Sequence, residues 1–293
     1  MTAEDKVIRL HPECMRCMME KQLRNCPPHL SEERKVEYMQ RVFGILAAAD
    51  ASTGAPQLVA DFDHMMGEFC GQKEDFAEIK RHFNALMLSF VPGISAKIRA
   101  AEDPLEMAAA YAMAGNFIDF GAVEDVSEEK LREFLKGAEN FRIGGEDWLH
   151  FKETLKKAKR VVYIPDNCGE IVMDMLFIRE MGRVNPSAHI TAMVKGGPAL
   201  NDATREDAGQ IGLSEVAEVA DTGCAYCGVP LSKISGQAEK LLREADLILA
   251  KGQANYETLN GCGWNVYYLF MCKCEFFAER FKVPRFGGVF IRE

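Results

Sequence analysis

Apolar residues recur at three- and four-residue intervals from about residue 14 to 158, and from Arg160 onward they gather instead into short β-branched and aromatic runs. The first pattern predicts helix after helix: 32–49 behind a capping Ser31, 57–70 behind the turn at Pro56, 75–90, 104–116 with Pro104 in its first turn, 128–136 behind Ser127, and 147–159. The second predicts strands at 161–164, 190–194, 216–220 and 246–250, alternating with helices at 169–181, 204–209, 231–245 and 253–259. A strand, a helix and a strand at 266–269, 275–281 and 289–291 complete the alternation. Such a series gives a mostly parallel sheet with helices on its faces. The expected class is α/β, with an all-helical part over 1–158 and an α/β part over 159–293. No Pro/Gly/Ser-rich linker, internal repeat or low-complexity segment marks the boundary.

Polar motifs fall just where the predicted strands stop. Asp166-Asn167-Cys168-Gly169-Glu170 follows the first, Lys195-Gly196-Gly197-Pro198 and Asn201-Asp202 follow the second, and Lys251-Gly252-Gln253-Ala254-Asn255 follows the fourth. Strands of a parallel sheet deliver their following loops to one edge, where open α/β folds bind ligands. Carboxylates with a carboxamide oxygen suit a divalent cation, and the exposed N–H groups of a helix start suit an anion. Read singly, Asp166, Asn167 and Asp202 are equally helix caps, and a lone lysine after a strand is a solvated one. Repetition at several strand ends favours ligation. Lys251 then neutralises phosphate oxygens, and amides such as Gln253 and Asn255 orient the sugar or other leaving group.

Composition narrows the partners. In 293 residues the net charge is −9, with 48% apolar and 27% charged positions, an ordinary globular balance that disfavours a general nucleic-acid binder. Met1 to Lys6 mixes charges with no apolar stretch behind it, and no apolar run approaches the roughly 18 residues of a membrane span, so a cytoplasmic location is expected. The P-loop and dinucleotide glycine fingerprints and the His-Glu-x-x-His motif are missing. Met15 to Met19, Met65-Met66, Tyr111 and Phe117 read as helical packing. Oligomeric state is not legible.

Taken together, Asp166-Asn167-x-Gly169-Glu170, Lys195-Gly196-x-Pro198 with Asn201-Asp202, Lys251-Gly252-Gln253-x-Asn255 and Gly115-Asn116-Phe117-Ile118-Asp119 resemble the metal-dependent damage-control phosphatase family. Their order and spacing resemble its archaeal and bacterial branch, which carries an N-terminal Cys-x-x-Cys, here Cys14-Met15-Arg16-Cys17. The resemblance runs from Cys14 to about Cys274. It implies a helical part packed on a Rossmann-like three-layer α/β/α domain, and hydrolysis of phosphate monoesters of small metabolites such as sugar phosphates or phosphorylated side products. It also implies a divalent metal held by Asp166, Asn167 and Asp202. Oxygen ligands suit Mg²⁺ or Mn²⁺, and Co²⁺ or Ni²⁺ take the same geometry. Asn116 and Asp119, in the helical half, would have to reach across to the substrate, which places the site in a cleft between the two parts. Glu170 either supports the ligands or complements its helix start. Either metal-bound water attacks, oriented by Asp202 or Asp166, or one of these aspartates forms a phospho-enzyme.

Ten cysteines in a reducing compartment pose a separate question. Cys14 and Cys17 share a helical face, Cys274 follows Lys273 in a feature resembling the family, and the three are candidates for a second metal or redox site. Cys224-Ala225-Tyr226-Cys227 lies in a loop between glycines and departs from the family pattern. Two other function classes compete with the phosphatase: a non-catalytic protein that holds a metabolite or nucleotide at the same edge, and a cysteine-based metal or redox protein.

Overall fold

The computed structural model describes residues 10–50, 53–71, 75–118 and 128–293. Among the described residues, seven α-helices precede the sheet: α1 (Pro12–Asn25), α2 (Glu32–Ala48), α3 (Ala55–Cys70), α4 (Ala77–Ala100), α5 (Pro104–Gly115), α6 (Glu128–Gly137) and α7 (Gly145–Lys157). Strands and helices then alternate as β1 (Arg160–Ile164), α8 (Glu170–Val184), β2 (His189–Val194), α9 (Arg205–Ile211), β3 (Glu218–Asp221), α10 (Gly236–Glu244) and β4 (Leu247–Lys251). The chain closes with α11 (Gln253–Leu259), β5 (Val266–Met271), α12 (Glu275–Phe281) and β6 (Gly288–Arg292). Strand order is β3-β2-β1-β4-β5-β6, parallel throughout except for β6, which runs antiparallel to β5. The order reverses direction between β1 and β4, the position at which such sheets bind ligands.

Alternation along each strand feeds two cores. Val161, Tyr163, Leu247, Leu249, Tyr267 and Leu269 point to one face, against α4, α5, α7, α8 and α9. Val162, Ile164, Ile248, Ala250, Tyr268 and Phe270 point to the other, against α10, α11 and α12. Helix α5 is buried all round because Ala108, Ala109, Ala112 and Ala114 let neighbouring backbones come close. The switch from helices to strands at 158/159 is thus not a break in the core: α4 to α7 share theirs with the sheet. A separate cluster, Tyr38, Val42, Leu46, Leu58, Phe62, Met65 and Phe69, joins α2 to α3, with Met15, Met18, Met19 and Met66 packed against it. His11 stacks on Phe276 at 4.3 Å, tying α1 to α12.

Of the boundaries that differ from the pattern-based expectation, three have a clear local cause. Helix α4 runs on through Pro92 instead of stopping at 90, because Ile94 and Ile98 continue its buried stripe and outweigh one missing backbone donor. Helix α10 begins only at Gly236, capped by Ser235 Oγ, since 231–235 form a turn. Strand β3 starts at Glu218 because Val216 closes a 3₁₀ turn over Leu213–Glu215. The expected cap Ser127 and the candidate Asp119 lie outside the described residues.

Candidate metal and phosphate site

Backbone pairing brings the strand-end loops together. Ala203 N donates to the Asp166 carbonyl at 2.7 Å and Cys168 N to the Asn201 carbonyl at 2.8 Å, so that Asn167 and Asp202 form an isolated antiparallel bridge. Lys195 N donates to the Ala203 carbonyl at 2.9 Å, fastening the start of the second loop to its end. Neither aspartate is a helix cap. Gly169 is the N-cap of α8, and Thr204 caps α9 in a box with Asp207.

The carboxamide of Asn167 is held in one orientation. Its Nδ2 donates to Asp166 Oδ2 at 2.8 Å and to Glu170 Oε2 at 3.0 Å, which turns Oδ1 the opposite way. Asn116, at the end of α5, donates to the same two oxygens at 3.1 and 2.8 Å while its Oδ1 accepts from Met271 N at 3.1 Å. Asn116 therefore does reach across from the helical half, but both ends of its amide are occupied. It ties helix to sheet and orients carboxylates, in place of the substrate contact expected of it. Glu170, fully buried, accepts from the amides of both Asn116 and Asn167.

Lys251 corrects a second expectation. An ammonium has three donors, and this one uses them on the Ala112 carbonyl at 2.9 Å, Glu170 Oε1 at 2.6 Å and Asp174 Oδ1 at 2.8 Å. None is left for phosphate. Burial would lower its pKa, but the two carboxylates outweigh that and hold it well above the ordinary lysine range. Asn255 and Gln253 are likewise taken up. Asn255 donates to the Lys251 and Pro165 carbonyls and accepts from Lys195 Nζ at 2.9 Å. Gln253 donates to Glu257 and Cys274 and accepts from Lys273 N.

Lys195 is the better-placed cation. Its ammonium donates to the Gly228 carbonyl at 3.0 Å and to Asn255, and lies 3.6 Å from Asp202 Oδ2. Asn201 donates weakly to the Ile118 carbonyl at 3.4 Å. Arg205 faces outward, paired with Asp221 and the Val219 carbonyl.

Residues absent from the sequence-based list complete the arrangement. Lys80 of α4 donates to the Asp202 carbonyl at 2.8 Å and pairs with Asp207 at 2.7 Å. Asn84 Oδ1 accepts from Gly169 N at 2.6 Å. Asp174 accepts from Tyr163 Oη at 2.7 Å as well as from Lys251. Burial, opposed by Lys251, pushes its carboxyl up to about 7. A sequence signal for it exists: one carboxylate in the apolar run Ile171 to Phe177, one turn beyond Glu170.

The donor set fits a divalent cation. Two carboxylates and a carboxamide whose nitrogen is already engaged by Asp166 and Glu170 offer hard oxygen donors. The hydrogen-bonded set holds five carboxylates, Asp166, Glu170, Asp174, Asp202 and Asp207, against the ammonium groups of Lys80, Lys195 and Lys251. That surplus of negative charge in a buried site is what a bound cation offsets.

Gly252 makes room for this cradle. At φ 81° and ψ 158° it occupies a region reserved for glycine, and a Cβ there would lie 2.0 Å from Asp166 Oδ2. Gly252→Ala is expected to displace the Asp166 carboxylate and lose metal-stimulated activity, with about 1–3 kcal/mol of backbone strain. Assay and unfolding midpoint, measured together, check this, and full activity would refute it.

The cysteines form no comparable centre. Cys14, Cys17 and Cys274 come within electrostatic range of one another, and Cys14 and Cys274 also of Glu257. Among the described residues no group of three or more His, Cys, Asp or Glu side chains is disposed to hold a metal ion, and this applies to the cysteines and to the strand-end carboxylates alike; the strand-end set counts two carboxylates and a carboxamide. Burial pushes the Cys14 thiol up to about 11 and raises Cys274 too. Hollows of about 390 and 620 Å³, one beside His150 and Asp246 and one beside Glu102 and Arg142, include none of the site residues.

A doubly wound sheet with carboxylates and a carboxamide gathered at its switch point has the makings of a metal-assisted phosphate site. Residues 10–287 match the family described as Damage-control phosphatase ARMT1-like domain, and the chain belongs to that family. A damage-control phosphatase of Archaeoglobus fulgidus is 34% identical over 211 residues, 71% of this chain and 72% of the relative. One from Pyrococcus horikoshii is 32% identical over 229 residues, 77% of each. The crystal structure of a DUF89 family protein from Pyrococcus horikoshii shares the fold at TM-score 0.80 and 27% identity, covering 97% of this chain and 99% of that one. The chain is accordingly an enzyme, a metal-dependent phosphatase. No helix among the described residues is long and apolar enough to cross a membrane.

Proposed function

We propose that the edge formed by the loops after β1, β2 and β4 hydrolyses phosphate monoesters of small cytoplasmic metabolites, sugar phosphates or phosphorylated side products, with Mg²⁺, Mn²⁺, Co²⁺ or Ni²⁺ held by Asp166, Asn167 and Asp202. The observation that carries this reading is the bridge between Asn167 and Asp202, which sets a carboxamide of fixed orientation beside two carboxylates from neighbouring strands. A bound cation supplies Lewis-acid polarisation of the phosphoryl oxygens. The chain's own residues do the rest. Asn116 and Glu170 hold Asp166 and Asn167 in place, and Asn255 with the Gly228 carbonyl aims Lys195 at the Asp202 side of the site. Lys195, in place of Lys251, then withdraws charge from the phosphate. The Cys14-x-x-Cys17 pair supports membership of the archaeal and bacterial branch.

The test is phosphate release over a panel of phosphorylated metabolites with each of the four metals, against a metal-free control. Release from sugar phosphates that depends on added metal is expected, and saturable binding without release would replace this reading by a non-catalytic one. Lys195→Met should lower kcat/KM by about 10²–10³-fold, the scale of losing one charge-stabilising donor. An unchanged kcat/KM in that variant returns the phosphate role to another residue.

A further inference from the structure

One face of α4 grips both loops that carry the candidate ligands. Lys80 and Asn84 stand four residues apart and so project from the same side of the helix. Lys80 Nζ donates to the Asp202 carbonyl at 2.8 Å and pairs with Asp207 Oδ2 at 2.7 Å. Asn84 Oδ1 accepts from Gly169 N at 2.6 Å, and its Nδ2 donates to Asp207 Oδ1 and to Gln210 Oε1, both at 2.9 Å. Asp207 is thereby held by both residues, and it accepts from Thr204 N and Oγ1 at the start of α9 as well.

These bonds answer needs that the loops do not meet themselves. Gly169 opens α8 without a side chain, and the residue that would accept its N–H in a capping box, three positions on, is Val172, which has no acceptor. Asn84 takes that place from another helix. A Cβ on Gly169 would lie 3.2 Å from Phe83 Cβ, so glycine is also what lets α4 come this close. The peptide between Asp202 and Ala203 is held from both sides, its N–H on the Asp166 carbonyl at 2.7 Å and its C=O on Lys80. A carboxamide buried beside Phe83 and Met87 is costly unless its polar atoms are paired, and at Asn84 both are, each to a group of the two ligand loops or of α9 behind them.

We propose that Lys80 and Asn84 are positioning residues for the metal site: from α4 they lock the turn after Asn167 and the peptide after Asp202, and so set the separation of ligands that arrive on neighbouring strands. The inference rests on the metal reading given above and brings into it a helix from the first half of the chain. The direction of the effect separates a clamp from simple electrostatics. Removing a cation from beside a cation site tightens metal binding by charge alone, whereas releasing the ligand loops loosens it.

The experiment measures Mn²⁺ affinity by electron paramagnetic resonance in the full-length protein, well below the unfolding midpoint of each variant, which is recorded alongside. Lys80→Met is expected to weaken Mn²⁺ binding about 10–100-fold, the range carried by groups that orient metal ligands. Lys80→Arg, which keeps donors for both the Asp202 carbonyl and Asp207, restores most of that loss. Asn84→Ala changes no charge and weakens binding within the same range of about 10–100-fold. A residue that only fastened α4 to the sheet would lower the unfolding midpoint and leave the affinity of the folded protein unchanged. Native or tighter binding in folded Lys80→Met or Asn84→Ala therefore overturns the inference, and so does a loss in Lys80→Arg equal to that in Lys80→Met. If Lys80→Met does not fold, Asn84→Ala decides alone. Absence of Mn²⁺ binding in the native protein would instead overturn the metal site on which the inference rests.

Discussion

Asp166→Ala is expected to abolish metal-stimulated hydrolysis of a generic phosphate ester while the protein stays folded. Asp166 sits at the end of the central strand, only 4% exposed, with Oδ2 accepting from both Asn116 and Asn167. Its loss removes one of two carboxylates in the proposed ligand set. It does not orphan the amides, because Glu170 Oε2 still accepts from both. Stability should therefore change modestly, whereas activity should fall by at least about 10³-fold, the upper range for one group of a preorganised charged site. Phosphate release measured beside an unfolding curve separates the two effects. A folded variant that keeps its metal-stimulated activity would sink the assignment.

Lys251→Met should be the most destabilising substitution in the site. Its ammonium is the shared partner of two fully buried carboxylates. Removing one member of a buried ion pair costs about 3–5 kcal/mol, because the remaining charge is left uncompensated. The deficit should depend on pH in a definite direction. Burial already raises the Asp174 carboxyl to about 7, and loss of the lysine that opposes this raises it further. An acid whose folded-state pKa lies above its unfolded value contributes most stability below the unfolded pKa and loses it as pH rises toward the folded one. The variant should thus be least impaired at about pH 5 and most impaired at about pH 8, read as unfolding midpoints against the native protein. A deficit independent of pH would show that Lys251 matters for packing alone.

Much of this architecture was legible in the chain. The change of period near Arg160 separates helices from strands, and short apolar runs followed by polar motifs at 166, 195 to 202 and 251 give a parallel sheet with its chemistry at one edge. The pattern was weakest where a local signal met a tertiary one. Pro92 reads as a stop, but Ile94 and Ile98 are buried beyond it, and α4 continues. Within the site the residue types were found more readily than their tasks. Asn116, Gln253 and Asn255 read as substrate contacts because amides are versatile, and only their partners show that every polar atom is already engaged.

The sequence by itself determined the fold class, the edge at which the chemistry gathers and the carboxylate, carboxamide and lysine groups supplied to it, because periodicity and strand-end position are properties of neighbours along the chain. Tertiary structure alone decided which lysine is committed, which amide is locked and which interior residues stand behind the strand-end carboxylates. An ammonium has three donors and a buried carboxamide must satisfy both ends. How those few bonds are divided depends on groups such as Ala112, Met271 and Gly228, which are distant in sequence and contribute only backbone.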